Sequence, residues 1–587
     1  MNGLAKLIKA GRVNLSRRVE SNKPGVLCAV AAVLLLLGWR GLVWANRPAH
    51  VLDIARELGS IGQFKDDLYP NKSGTRLVYT QDTMSGAGLF FCNVATGKAK
   101  LLCELKESEF DWRRFGMLGW SPDDSKFAYA LPATKDKIFI CVGNAESGEI
   151  MAKVEAPGNL AELAWLTTNS FAYLLAYYQV LAVVAQQPDG QWAESRNFGL
   201  VYQGEGSARN LVATSPNSVA WSNGTNIWAL DFHAATPKII WHGTTNQLLA
   251  ITYSREENEL LLNCTDETGQ YLIRFDPAKN WVASAGRVGD LRQTIPHITW
   301  FNGPRYACRR NDGGTNTFFI KRGVNTPPAR LSWPGAVRTF ALSGDHLYVA
   351  GSVGGEPAGI YDYDASSGEL RFVISSVKSP LHYAKSVSPI DGVLTNEQGR
   401  LISYHLWRPA AIALQKKYPL IIGQTPYIWM PFPQIAASQG YCFVFIERPD
   451  WFGGLENWSD DVMAVHHRLA EDPNVDTDRV FLYGASAETA YIGQLLEEKP
   501  DLWRGVITFS PSGLPNLSTT RVSSMLIVVG KEEGEAVTQR WLKYQDDAAS
   551  IGIRINLVFQ NGAQHISRSI TTELERAENL AKFLNEN

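Results

Sequence analysis

The stretch RVFLYGASAET (479–489) places a serine, Ser486, at the apex of a tight turn between an apolar strand and a helix-forming segment. In an open parallel sheet, a strand followed by Gly-x-Ser-x-Gly and a helix lifts the serine hydroxyl above the sheet and beside the helix N-terminus, where a developing oxyanion is stabilised. Gly484, Ala485, Ser486 and Ala487 fit that pattern, whereas Glu488 stands where the final glycine belongs. The expectation is either that Glu488 turns its side chain outward or that the elbow is not formed. A serine nucleophile needs a base, and the chain order for such a site is serine, acid, histidine. His565, in VFQNGAQHISRS, is the one histidine after Ser486, and it follows the last predicted strand. The segment LIVVGKEEGEAV sets Glu532, Glu533 and Glu535 just beyond another strand, the address of the residue that orients the histidine. Glu533 is the first choice and Glu532 the second, with a solvated acidic loop as the alternative. A serine, a histidine and a carboxylate in these places would perform acyl transfer.

The elements that must position these residues begin near residue 385. GVLTNEQGRLISYHLWRP (392–409) reads as a hairpin ending at a proline, followed by short apolar strands: YPLIIGQ, YCFVFIE, RVFLYGA, RGVITFSP, SMLIVVGK and INLVFQ. Helical stretches such as WSDDVMAVHHRLAED and ELERAENLAKFLNEN separate most of them. Near-continuous apolar strands alternating with amphipathic helices predict a mostly parallel sheet covered on both faces.

Ahead of this region a unit recurs, with an aromatic or apolar residue, a short polar turn and a strand ending in aromatics. It reads YPNKSGTRLVYT (69–80), WSPDDSKFAYA (120–130), WLTTNSFAYLL (165–175), WSNGTNIWALDF (221–232), YSREENELLLNC (253–264), WFNGPRYACRR (300–310) and ALSGDHLYVAG (341–351). A second polar turn with glycine at the site of an expected positive φ follows three of them, NVATGK, NAESGE and DASSGE. Strand, turn, strand at a period of about 45 residues predicts a β-propeller of about seven blades rather than a sandwich. The isolated His233, His242, His297 and His346 read as core or surface residues, so the propeller is expected to be a scaffold, gate or binding surface.

A chain of 587 residues exceeds one ordinary core, and its 11% aromatics, 50 glycines and 18 tryptophans argue for a folded, strand-rich protein. A net charge of −2 without a basic stripe gives no reason to expect nucleic acid. Basic residues cluster in 1–23, ahead of the apolar run PGVLCAVAAVLLLLGWRGLVWA (24–45). That run matches a membrane-spanning helix with the N-terminus cytoplasmic and the rest of the chain exported, either periplasmic or extracellular; cleavage as a signal peptide after VWA is the rival expectation. The seven cysteines form no metal-ligand spacing. Cys92 and Cys103 flank a turn and are expected either to pair across a hairpin or to remain buried thiols.

These features together resemble the prolyl oligopeptidase family of serine peptidases, which includes the dipeptidyl peptidases and acylaminoacyl peptidases. The resemblance rests on WSPDD, NEQGRLISYHLWRP, KKYPLII, DDVMAV, VDTDRVFLYGAS, VVGKEEGEAV and NGAQH, and it covers nearly everything after residue 46. It implies a divergent member with a β-propeller (55–380) and a C-terminal α/β-hydrolase domain (385–587), which here follow the basic segment (1–23) and the expected transmembrane anchor (24–45). The nucleophile then falls on Ser486, the histidine on His565 and the acid on Glu533, a glutamate where the family usually has aspartate. Oxyanion donors fall on Ala487 and on Tyr427, with Thr425 at the place matching the usual donor loop. Short peptides or esters are the implied substrates, no cofactor or metal is implied, and a homodimer is left open. A catalytically inactive relative serving as a binding module is the alternative expectation, because Glu488, the altered GQTPYIW loop and the short segment before the acid strand depart from the family pattern.

Overall fold

Polar turns between short apolar strands build most of the chain into small antiparallel sheets. The computed structural model describes most of residues 68–587; residues 1–67 and loop stretches such as 376–386, 410–415, 425–431, 447–457 and 566–568 lie outside the described residues. The expected anchor (24–45) is therefore outside them, and among the described residues no helix is long and apolar enough to cross a membrane.

Seven four-stranded antiparallel sheets span 68–106, 116–157, 160–200, 209–242, 247–289, 297–333 and 337–375. From the second sheet on, first strands of successive sheets lie side by side; Arg76–Asp82 of the first sheet meets Gly116–Trp120 of the second, and Val337–Ser343 of the last meets Leu68–Pro70 of the first, which closes a propeller ring. Each recurrent unit except one covers the turn between the first and second strands of a blade. The exception is 221–232, which covers the second and third strands of the fourth blade, Ser218–Ser222 and Asn226–Asp231. There the turn joining the first two strands is ATSPNSVA, which lacks the leading aromatic, so the pattern was legible one strand late. In the second polar turns, Asn93, Asn144 and Asp364 side chains accept from backbone N–H groups two or three residues on. Gly97, Gly148 and Gly368 take φ of +64°, +67° and +77°, as those turns require.

Blades are stapled by side chains reaching the backbone of the blade before. The Trp120 and Trp165 indoles donate to the carbonyls of Tyr69 (3.1 Å) and Gly119 (3.2 Å). At the closure, Ser343 Oγ donates to Asn71 O (2.6 Å) and Tyr348 OH to Gly74 O (2.7 Å). Among the described residues no strand is exchanged across this seam, and side-chain bonds and apolar contact join its two sides. Cys92 and Cys103 are free thiols: Cys92 stands opposite Ala99 and Cys103 opposite Leu89, so the two are out of register. Burial pushes both up to about 12.

The C-terminal region forms one eight-stranded sheet. Its strands are β1 (Ile390–Thr395), β2 (Leu401–Trp407), β3 (Tyr418–Gln424), β4 (Cys442–Ile446), β5 (Val475–Ala485), β6 (Trp503–Phe509), β7 (Ser524–Gly530) and β8 (Arg554–Gln560), in the order β1-β2-β4-β3-β5-β6-β7-β8. The first two pairings, β1 with β2 and β2 with β4, are antiparallel and the rest parallel. Alternation along each strand serves two cores. Val480 and Leu482 of β5 pack toward helices α2 (Trp458–Ala470), α3 (Thr489–Glu498) and α4 (Glu535–Ser550), while Phe481 and Tyr483 pack toward α1 (Phe432–Ser438) and α5 (Ile570–Asn585). Burial on both faces is why these strands read as continuous apolar runs.

The propeller and this domain meet at the start of α5. Ile570 N–H donates to Thr83 O (2.8 Å), and the Thr571 and Thr572 hydroxyls donate to Met84 O and Glu107 Oε2 (both 2.7 Å). A helix leaves its first N–H groups without intrahelical partners, and here the first blade accepts two of them, from Ile570 and from Thr571 (to Met84 O, 3.4 Å).

Candidate active site

Three parallel strands deliver three side chains to one place, at the carboxyl ends of β5, β7 and β8, where open α/β sheets carry their sites. After β5 the chain enters a 3-10 turn, Ser486–Glu488, that leads straight into α3. Ser486 has φ +51°, a left-handed conformation costing a non-glycine residue about 1–3 kcal/mol, persisting only where the surroundings over-determine it. The surroundings do so: its carbonyl accepts from Thr489 Oγ1 (2.7 Å) and from Ser512 N–H (3.1 Å).

The serine hydroxyl lies 2.7 Å from His565 Nε2, and the other ring nitrogen, Nδ1, lies 3.0 Å from Glu533 Oε2. His565 follows the β8 end through the turn Asn561–Gly562, and Glu533 ends the 3-10 turn Lys531–Glu533 that follows β7. A close approach fixes these two turns to each other. A Cβ at Gly530 would stand 2.5 Å from the carbonyl oxygens of both Ala563 and Gln564, so only glycine lets the acid turn seat against the histidine loop. Glu532 N–H donates to Ala563 O (3.0 Å) across the same contact.

The structure separates the three glutamates that sequence left together. Glu532 and Glu535 are exposed, and Glu535 accepts from Gln539 one turn along α4 (2.6 Å). Glu533 has a side chain only 14% exposed, with Oε1 taking the Gly530 N–H (3.2 Å) and Oε2 facing the imidazole. A carboxylate on Nδ1–H leaves Nε2 unprotonated toward the serine, the tautomer that general-base chemistry needs.

Ala487 is exposed in the first turn after the serine, and its amide belongs to a helix start of the kind that stabilises anions. Tyr427 and Thr425, the expected second donors, lie outside the described residues.

Neither expectation for Glu488 holds. The elbow is formed, and the side chain turns inward rather than outward: Glu488 is 7% exposed and its Oε2 accepts the Ala485 N–H at 2.9 Å. Room for it comes from Gly484. A Cβ there would stand 3.3 Å from Glu488 Cβ and 2.9 Å from Ile492 Cδ1, so the close strand–helix approach is supplied two residues before the serine. Sequence reasoning also missed Ser512, whose hydroxyl lies 3.4 Å from Ser486 Oγ. It belongs to the SPSG loop after β6, which also reaches the elbow through Gly513 N–H on Thr489 Oγ1 (3.2 Å). A loop contact across 26 residues leaves no periodic signal.

With this geometry in view, likeness to solved structures is informative. A prolyl endopeptidase superposes with a TM-score of 0.65 at 14% identity, over 97% of this chain and 96% of that one. The fold is that of the prolyl oligopeptidase family. An acylaminoacyl peptidase of Pyrococcus horikoshii (TM-score 0.64, 12% identity, 90% of this chain and 97% of that one) and a puromycin hydrolase (0.65, 13%, 92% and 97%) share the prolyl oligopeptidase architecture. In sequence, an uncharacterized peptidase of Bacillus subtilis, YuxL, is 23% identical over 203 residues, which is 31% of this chain and 31% of that protein. No protein-family model matches the chain.

Proposed function

We propose that the protein is a serine hydrolase of the prolyl oligopeptidase type that cleaves short peptides or esters through Ser486, His565 and Glu533. The carrying observation is the unbroken chain of contacts from Ser486 Oγ through both ring nitrogens of His565 to Glu533 (2.7 and 3.0 Å). The strained φ of Ser486 supports it, since strain of this kind concentrates at functional sites. In this reading His565 takes the serine proton as Ser486 Oγ attacks the carbonyl carbon, and Glu533 stabilises the imidazolium. The proton then passes from His565 to the leaving amine or alcohol. The Ala487 amide donates to the oxyanion, with Tyr427 as the second donor. A water deprotonated by His565 releases the acyl group and returns the serine. Peptide substrates are favoured because two of the structural neighbours are named as peptidases and YuxL as an uncharacterized peptidase.

The chain is further proposed to be held in a membrane by residues 24–45 with its two folded domains exported, on the strength of the basic lead and apolar run. Resistance of the full-length protein to alkaline extraction from membranes tests that part; release into the soluble fraction would contradict it. For the activity, full-length protein and Ser486→Ala are compared on blocked chromogenic dipeptides and on small esters. Turnover lost in Ser486→Ala supports the hydrolase. A folded wild type with no turnover of either class, yet with saturable peptide binding, would favour the inactive binding module.

A further inference from the structure

We propose that Glu488 is a positioning residue, a carboxylate clamp that holds the Ser486 turn in its reactive conformation in place of the usual glycine. This rests on the hydrolase reading of the same site. The Glu488 carboxylate and the Ala485 N–H it accepts (2.9 Å) lie on either side of Ser486, so the bond closes a ring around the serine backbone. Ala485 is extended (φ −130°, ψ 148°), Ser486 is left-handed (φ +51°) and Glu488 is helical (φ −63°), a sequence of conformations that no regular element supplies. The clamp is half of a capping box: a glutamate at the third helical position reaching back to the N-cap N–H. Because the acceptor is a carboxylate, the bond is stronger than an amide–carbonyl pair.

The burial of Glu488 is what separates a clamp from an incidental surface contact. At 7% exposure its carboxylate has given up water, which is costly unless polar partners replace it. Tyr483, one strand position before Gly484, is fully buried, and its phenol is pushed well above its usual range, by burial first and then by the charges of Glu488 and Glu573, with Arg576 opposing. Arg576 binds Glu573 (2.8 Å) and Gln560 (2.9 Å), which ties this cluster to α5 and to the end of β8, the two elements flanking His565.

Two further bonds complete the case. Thr489 Oγ1 and Ser512 N–H hold the Ser486 carbonyl, and the Glu488 carboxylate holds the amide before the serine. Glycine at 488 would remove the only one of these that acts on the N-terminal side of Ser486 among the described residues. Restoring glycine is therefore expected to weaken the site, the reverse of what the family pattern suggests.

The test uses the full-length protein in detergent, with Glu488→Gln, Glu488→Ala and Glu488→Gly beside wild type. The rate of fluorophosphonate labelling is followed across probe concentrations to separate the maximal labelling rate from probe affinity. Amide exchange of the peptide covering 484–488 is read by mass spectrometry. Glu488→Gln keeps an acceptor oxygen and should label within about threefold of wild type with Ala485 still protected. Glu488→Ala and Glu488→Gly should lower the maximal rate on the order of 10–100-fold with affinity nearly unchanged, because misplacement of a reacting group acts on the chemical step. Exchange at Ala485 should accelerate in both. Labelling of Glu488→Gly at or above the wild-type rate, or unchanged exchange at Ala485 in Glu488→Ala, overturns the clamp. A folded wild type that never labels overturns the hydrolase reading instead, and the exchange data then decide the clamp alone.

Discussion

Strands β5 and β7 both run into a single 3-10 turn, Ser486–Glu488 after one and Lys531–Glu533 after the other, and each turn ends in a glutamate. In both, that carboxylate bends back to the N–H of the residue before the turn, Ala485 at 2.9 Å and Gly530 at 3.2 Å. The difference lies in the second oxygen and in what each turn leans on. Glu533 has Oε2 aimed at His565, whereas Glu488 is buried, with Oε2 on the Ala485 N–H. The glycine before the acid turn abuts the backbone of the histidine loop; the glycine before the serine turn abuts side-chain atoms of Ile492 and Glu488. One local device thus serves two tasks, and neighbours brought from elsewhere in the chain decide which task a glutamate performs.

Substitutions can break or sharpen that comparison. The largest effect is expected at Ser486→Ala, which should remove more than about 10⁴-fold of turnover on any substrate the wild type cleaves. Glu533→Gln keeps the turn but not the charge facing the imidazole, and should cost about 10³–10⁴-fold in turnover with little change in thermal midpoint. Gly530→Ala drives a methyl into two carbonyl oxygens, so it should destabilise by about 1–3 kcal/mol in denaturant titration and lower activity with it. Gly484→Ala meets the movable end of Ile492 and should cost less than Gly530→Ala, which would sharpen the distinction between the two turns. The smallest effect is expected at Glu532→Gln, within about twofold in activity, since that side chain is exposed. An effect of Glu532→Gln matching that of Glu533→Gln would break the assignment of the acid.

The architecture was legible because each level left a periodic trace. Strands buried on both faces gave continuous apolar runs, blade turns gave repeated polar clusters, and chain order alone singled out His565. The serine was visible as the apex between strand and helix. Glu533 was separable from Glu532 only weakly in sequence, since which of two adjacent turn residues faces the histidine depends on how Gly530 seats the turn against the histidine loop. Glu488 was misjudged because the space it fills is created by Gly484, two residues before the serine. Ser512 was missed for a similar reason, its place being set by how the loop after β6 folds over the elbow. In the fourth blade the aromatic marker moved one strand along, which leaves the fold intact and shifts only its sequence signal.

The activated serine is the central claim, and its most direct test is the site of covalent modification. Full-length protein is reacted with a fluorophosphonate and the adduct is mapped by peptide mass spectrometry, beside Ser486→Ala and Glu533→Gln. The account expects one adduct, on Ser486, absent in Ser486→Ala and formed far more slowly in Glu533→Gln. An adduct on another serine, or a folded protein that takes up no probe, would contradict it.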